Sequence, residues 1–333
     1  MRGAPHDSDG SNHEVRRMAT RITRREFIEA TTLTAAGVAA ASVHAGAAAA
    51  LPTRAFGRTG LQVTCLAFGC GSRFLMYEEE ATALDVLNGA IDQGIRYLDT
   101  AIAYGNGESE RRVGQVMRTR RSEVVLATKI PRSARTRDAA LRQVEASLKR
   151  LQTDHLDVLH MHDLGDEQDL AAITAPDGAI KALYQLRDQK VTRAIGMTSH
   201  TDGAVMAKAI EQNDLDCVQM AMNPARALQF EELALPAAKK KMMGVSLMKV
   251  TSQEKLVGAG PGKTDISSLL RYALTLPVST VVIGMPKREF VAENIGIARG
   301  FTPLSEQEID RVRKSVAPQQ AAVEAFYRGH MDA

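Results

Sequence analysis

From Thr64 onward, short apolar runs alternate with windows whose apolar residues recur every three or four positions. Eight runs have the length and aliphatic content of strands buried on both faces: Thr64–Gly69, Tyr97–Ala101, Val124–Lys129, Leu156–His162, Ala194–Ser199, Cys217–Met222, Val245–Val250 and Thr280–Gly284. Between them, sets such as Leu84, Leu87, Ala90 and Ile91, or Leu141, Val144, Leu148 and Leu151, fall on one helical face. Asp138 and Asp177 sit near expected helix starts, where a carboxylate accepts free backbone N–H groups. Eight strands alternating with helices predict an α/β chain, a single-domain (β/α)8 TIM barrel over residues 51–333. An extra C-terminal helix is expected from Ser305 to about Ser315. No GxGxxG follows the first strand, which argues against an open doubly wound sheet. Two connections, Asp163–Pro176 and the glycine-rich Thr251–Asp265, are longer than packing needs and are expected to act as lids.

Residues 1–50 break this pattern. Thr23-Arg24-Arg25-Glu26-Phe27-Ile28 matches the twin-arginine (Tat) signal of bacterial export. A weakly hydrophobic Ala-rich stretch, Thr32–Ala50, follows and ends in small residues suited to cleavage. The expectation is a signal peptide with a disordered N-terminus, the Tat export machinery as a partner, and a periplasmic or otherwise exported protein. Alanine contributes too little to insertion for stable membrane anchoring.

Composition adds exclusions. With 44% hydrophobic and 24% charged residues, the chain has the profile of a soluble globular protein. Its 42 Lys and Arg against 39 Asp and Glu leave no basic footprint for nucleic acid. The three cysteines form no CxxC pair and no metal-ligand spacing, so no metal is expected; Cys65, inside an apolar run, reads as a buried free thiol.

Barrel enzymes place their chemistry at strand C-termini. Asp99 closes the second run, Tyr104 follows in the loop before Gly105, Lys129 ends the third run and His162 the fourth. Consecutive strands are neighbours in a closed barrel, so these four converge. The segment Leu98-Asp99-Thr100-Ala101-Ile102-Ala103-Tyr104-Gly105-Asn106-Gly107-Glu108-Ser109-Glu110 resembles the DTAxxYGxSE signature of the aldo-keto reductase superfamily, with one additional residue before Ser109-Glu110. Leu156-Asp157-Val158-Leu159-His160-Met161-His162 resembles that family's DxYxxH strand, whose spacing selects His162 over His160. The resemblance implies that Asp99, Tyr104, Lys129 and His162 catalyse an NAD(P)H-dependent reduction of a small-molecule aldehyde or ketone to an alcohol. Tyr104 would supply the proton; a free phenol has a pKa of about 10, which a cation such as Lys129 beside it lowers. Asp99 would hold Lys129, and neutral His162 would orient the substrate oxygen. His160 shares parity with His162 and is expected one layer deeper, in a structural position.

The resemblance also implies a cofactor site. Ser199-His200 stands where the family has Ser-Asn, and Ser199 with Gln219 would bind the nicotinamide carboxamide. Met248 falls where the family stacks a tyrosine on the nicotinamide; its polarizable thioether suits a ring, and Lys249 beside it could reach a phosphate. Gly284-Met285-Pro286-Lys287-Arg288 precedes a helix carrying Glu293-Asn294, which would take the adenosine. Lys287 and Arg288 at a helix N-terminus suit a 2′-phosphate and favour NADP over NAD. The departures at Met248, His200 and Phe290 leave a second function open, a nicotinamide-binding sensor with vestigial turnover. The first loop, Gly71–Tyr77, and the two long loops would line the substrate pocket. Their apolar residues suit a carbonyl compound with a hydrophobic body, while Arg73 would pair with an anion or face solvent.

Overall fold

All eight apolar runs lie in strands of one closed parallel barrel in the computed structural model, which describes residues 50–330. The twin-arginine segment and the Ala-rich stretch up to residue 49 lie outside the described residues. The staves are β3 (Leu66–Gly69), β4 (Tyr97–Asp99), β5 (Val125–Ile130), β6 (Leu156–Met161), β7 (Thr192–Ser199), β8 (Cys217–Ala221), β9 (Gly244–Met248) and β10 (Thr280–Ile283). They pair in sequence order, and β10 closes back onto β3. Helices between the staves bury an apolar stripe against the barrel: α1 (Glu80–Asp92), for example, buries Ala83, Val86, Leu87, Ala90 and Ile91.

A short antiparallel hairpin, β1 (Thr53–Ala55) and β2 (Gln62–Thr64), precedes the barrel and was not legible as strands, because each is only three residues long. It puts fully buried Phe56 against Tyr97, ring centroids 5.8 Å apart, at the entry end of β4. Gly244 lets it approach: a Cβ there would stand 2.7 Å from Phe56 Cδ1. The opposite end, where the strands point their C-termini, is left for the loops.

Asp138 lies in the first turn of α3 (Arg137–Leu151), behind Thr136 as N-cap, while Asp177 stands ahead of α5 (Ile180–Asp188) and offers its carbonyl to Arg137 N–H at 2.7 Å. Side-chain caps fall instead at Asp166, Asp202, Asp265 and Ser305, the last in a capping box with Glu308. The expected loop Asp163–Pro176 contains a helix, α4 (Glu167–Thr174), begun by the Asp166 cap. The expected final helix spans Glu306–Val316; after it the chain runs into a further helix, Gln320–Gly329, whose Tyr327 is buried. No helix among the described residues is long and apolar enough to cross a membrane.

A row of small and polar residues crosses the barrel interior. His160, Gly196 and Cys217 align across β6, β7 and β8, with His160 Nε2 3.5 Å from Cys217 Sγ. Gly196 makes room, since a Cβ would lie 2.8 Å from the His160 ring. Burial, with the Lys129 charge behind it, holds His160 well below the usual histidine pKa, so it is a neutral core residue. All three cysteines are free and buried; burial pushes the Cys70 and Cys217 thiols up, which makes them inert.

Candidate active site

Lys129 projects from the end of β5 into the rim with no exposed side-chain surface. Its ammonium spends all three protons: on Asp99 Oδ2 at 2.8 Å, on the Thr100 carbonyl at 2.9 Å and on the Tyr104 hydroxyl oxygen at 3.1 Å. Pairing with Asp99, which is itself nearly buried, is what makes a buried ammonium tolerable. Tyr104 is presented by a tight turn, Gly105-Asn106-Gly107, in which all three residues take positive φ; a Cβ at Gly105 would strike Leu75 at 2.7 Å. His162 lies one residue past β6 and meets the Tyr104 ring edge-to-face, centroids 5.7 Å apart. The four expected catalytic residues are therefore brought together.

The flanking signature residues hold this rim rather than touch it. Ser109 Oγ donates to the Cys70 carbonyl at 2.5 Å and contacts Thr100 Oγ1 at 2.7 Å, tying α2 (Glu108–Arg120) to the loops after β3 and β4. Glu110, fully buried, accepts from Thr128 Oγ1 and pairs with Arg150 at 2.7 Å. Asp157 accepts the Leu126 N–H and pairs with Arg121, fixing β6 against β5. Arg135 was not anticipated: its guanidinium donates to the His162 and Asp163 carbonyls at 2.9 and 3.1 Å while paired with Asp169, and so sets the backbone that carries His162.

Two cavities open at this rim. The larger, about 720 Å³, runs from Asp99 and Tyr104 past Gln219 and Met248 to Glu293 and Asn294, with Gly284 in its wall. The Oε1 of Gln219 and the Oδ1 of Asn294 are buried in it without a hydrogen-bond partner. Each is an acceptor suited to an amide or amine donor. Two unmet amide acceptors in one cavity of this volume fit a dinucleotide. Lys249 and Lys263 supply positive charge in the wall, and Arg73 of the first loop reaches Glu254 of the long loop at 3.3 Å. Arg73, part-exposed in the cavity wall, thus has its charge offset by a carboxylate.

Other expected cofactor residues are placed elsewhere. Ser199 Oγ is committed to the Leu164 carbonyl at 2.7 Å, and His200 is buried behind the rim, 3.2 Å from Asp163. Arg288 turns away from the cavity to Asp85 at 2.6 Å, and Lys287 lies over the Phe290 ring. Neither lines the cavity, although Phe290 does. The long loop is irregular, with Lys249, Ser252, Gln253 and Glu254 all at positive φ. Unanticipated is the C-terminal end of the described chain. Tyr327 accepts from Asn223 Nδ2 at 2.9 Å, and His330 reaches the cavity mouth with Nε2 2.9 Å from Lys249 Nζ. Val323, Phe326 and Tyr327, at helical spacing, were the sequence signal for this helix.

The family model described as Aldo/keto reductase family matches residues 66–260, more than half of the chain. The chain is 26% identical over 322 residues to the uncharacterized oxidoreductase YqkF of Bacillus subtilis, covering 83% of this chain and 98% of that protein. It is 30% identical over 239 residues to a D-threo-aldose 1-dehydrogenase of a Pseudomonas species, covering 61% of this chain and 70% of that one. An aldo-keto reductase of Klebsiella pneumoniae, solved in complex with NADPH, shares the fold with a TM-score of 0.65 at 23% identity, over 78% of this chain and 93% of that one.

Proposed function

This chain belongs to the aldo/keto reductase family of oxidoreductases, and from that premise we propose that it reduces an aldehyde or ketone to an alcohol with NADPH. The observation that carries the reading is the buried Asp99–Lys129–Tyr104 chain, which places a cation 3.1 Å from a phenolic oxygen at the end of a dinucleotide-sized cavity.

When bound, the reduced nicotinamide supplies a hydride to the carbonyl carbon; the rest falls to the chain. Tyr104 donates its phenolic proton to the carbonyl oxygen as the C=O π electrons move onto it. Lys129, buried and therefore little screened, stabilises the negative charge left on the Tyr104 oxygen, which solvent then reprotonates. Asp99 holds the ammonium in place, and His162, edge-on to Tyr104, orients the substrate oxygen. Gln219 would hold the carboxamide, Met248 would lie against the ring, and Glu293 and Asn294 would take the adenine. Lys249 and Lys263, which line the cavity where Lys287 and Arg288 do not, would take the phosphates. The NADPH complex of the Klebsiella pneumoniae relative supports NADP over NAD.

The test is NADPH oxidation by wild type and Tyr104→Phe across a carbonyl panel, with NADPH affinity measured by fluorescence. Turnover that falls by about 10²-fold or more in the variant, with affinity retained, is expected for loss of the general acid. Tight NADPH binding without turnover of any carbonyl would transfer the reading to a cofactor-binding sensor.

The twin-arginine pattern at Thr23–Ile28 supports a second part of the proposal, export through the Tat machinery to the periplasm. Replacing Arg24 and Arg25 by Lys should retain the protein in the cytoplasmic fraction of a bacterial host. An unchanged distribution refutes export by this route.

A further inference from the structure

Lys249, Val250 and residues of the long loop that follows them form one wall of the larger cavity. Lys249 sits there at a φ of 65°, a left-handed conformation that a side chain rarely adopts, so its neighbours must hold it. The helix Gln320–Gly329 supplies the hold. Its Tyr327, 1% exposed, donates its hydroxyl to the Lys249 carbonyl at 3.3 Å and accepts from Asn223 Nδ2 at 2.9 Å. Asn223, also buried, donates to the same carbonyl at 3.1 Å. Hydroxyl, amide and carbonyl thus close a triangle on the backbone of a cavity-lining residue.

The other end of Lys249 is held from the same place. His330, next after the helix, has its Nε2 2.9 Å from Lys249 Nζ, and its ring leans on Phe326 with centroids 4.9 Å apart. An imidazole nitrogen that accepts from an ammonium orients it without cancelling its charge, as a carboxylate would. The loop beyond is fastened too. Lys255 Nζ lies 4.7 Å from the centre of the Phe326 ring, and a Cβ at Gly262 would stand 2.5 Å from Gln319 Cγ. Val323 and the Tyr327 ring already bury the helix against the core, so the Tyr327 hydroxyl is surplus to that packing.

We propose that Tyr327 and His330 are positioning residues for the cofactor, which aim the Lys249 ammonium at a phosphate of NADPH. Tyr327 acts through the Lys249 backbone and His330 through the ammonium itself. The inference rests on the cofactor half of the reading above, in which Lys249 takes a phosphate, and adds the residues that set it. A lysine carries its charge on a flexible four-carbon stem, so its attraction for an anion depends on being placed beforehand. The triangle removes backbone freedom, and His330 removes side-chain freedom. An ammonium has three protons and so can keep His330 while it meets a phosphate. Without the Tyr327 hydroxyl the ring still packs, but the carbonyl keeps only its Asn223 donor; Lys249 then relaxes, and the cofactor leaves faster.

The test is a set of double-mutant cycles on NADPH affinity, read by NADPH fluorescence with the full chain and independent of turnover. Tyr327→Phe and His330→Ala should each raise Kd about fivefold, and Lys249→Ala about tenfold or more. The Lys249→Ala background keeps the carbonyl but not the ammonium, so there neither substitution should add more than about twofold. A helix that only stabilised the fold would lower affinity equally in both backgrounds. Such additivity, or a Kd unmoved by any one of the three single substitutions, overturns the inference and leaves the reductase reading standing. Wild type that binds no NADPH overturns the cofactor reading and this inference with it.

Discussion

Removing one half of the Asp99–Lys129 pair should destabilise the protein far more than removing both. The two side chains are 3% and 0% exposed and meet at 2.8 Å. Asp99→Asn leaves a buried ammonium facing only neutral acceptors, the Thr100 carbonyl and the Tyr104 hydroxyl among them. Lys129→Met leaves a buried carboxylate whose Oδ1 already lacks a partner. Each should cost about 3–5 kcal/mol, the range for breaking a buried ion pair by removing one partner. The double variant Asp99→Asn/Lys129→Met buries no net charge there, so its stability should return to within about 2 kcal/mol of wild type. The two single costs would then fail to add by several kcal/mol. Because the chain has no tryptophan, urea unfolding is best followed by far-UV circular dichroism. Turnover should follow a different pattern, about 10²-fold down or more in all three variants, since the cation that supports Tyr104 is lost or misplaced in each. A double variant as unstable as the sum of the singles would refute the argument that the pair exists to neutralise a buried charge. Wild-type turnover in the double variant would refute its catalytic role.

Two further outcomes follow from the same geometry. His160 is held neutral, its pKa lowered by burial, so its contribution to stability is present above the ordinary histidine value and lost as pH falls below it. Between pH 7.5 and 5.5 this one group should subtract about 1.4 kcal/mol from wild-type stability. That difference should vanish in His160→Gln, and equal pH slopes in the two proteins contradict a neutral core imidazole. The Arg73–Glu254 pair bridges the first loop and the long loop beside the larger cavity, so Arg73→Ala should speed NADPH release about fivefold, as expected for a partly exposed pair worth up to about 1 kcal/mol. Stopped-flow displacement should show the gap closing as salt rises; identical release rates at low salt would remove the pair from the gate.

The barrel was legible because strands covered on both faces write uninterrupted apolar runs, and eight of them alternate with helical windows. The hairpin at β1 and β2 was not, since three-residue strands carry no period. Helix Glu167–Thr174 does not show in the sequence because its apolar face is short and its cap, Asp166, resembles an ordinary loop residue. At the site, residues that end consecutive strands could be grouped from the sequence, since closure of the barrel alone brings them together. Residues whose direction depends on a distant partner could not. Arg288 follows Asp85, which is 203 positions away in the chain, and Arg73 follows Glu254. Ser199 looked like a ligand from its place at a strand end, yet the Leu164 carbonyl, 35 residues earlier, takes its hydroxyl.

The arrangement separates what must stay constant from what can vary. The charge that activates Tyr104 comes from beneath, through Lys129, which neither cavity reaches. Water is excluded there, so the field at the phenolic oxygen depends on three fixed distances and little on what occupies the rim. The smaller cavity, by contrast, is built from exposed or half-buried side chains on three loops and on α3, and only His162 and Asp163 in its wall are buried. On the reductase reading, substitutions at Arg132, Ser133 or Gln143 can alter the wall beside His162 without moving Lys129. Changes at Ser109, Glu110, Arg135 or Asp157 cannot, because each ties together the elements that carry the catalytic residues. On that reading, the wall of the smaller cavity and the proton supply answer to different residues.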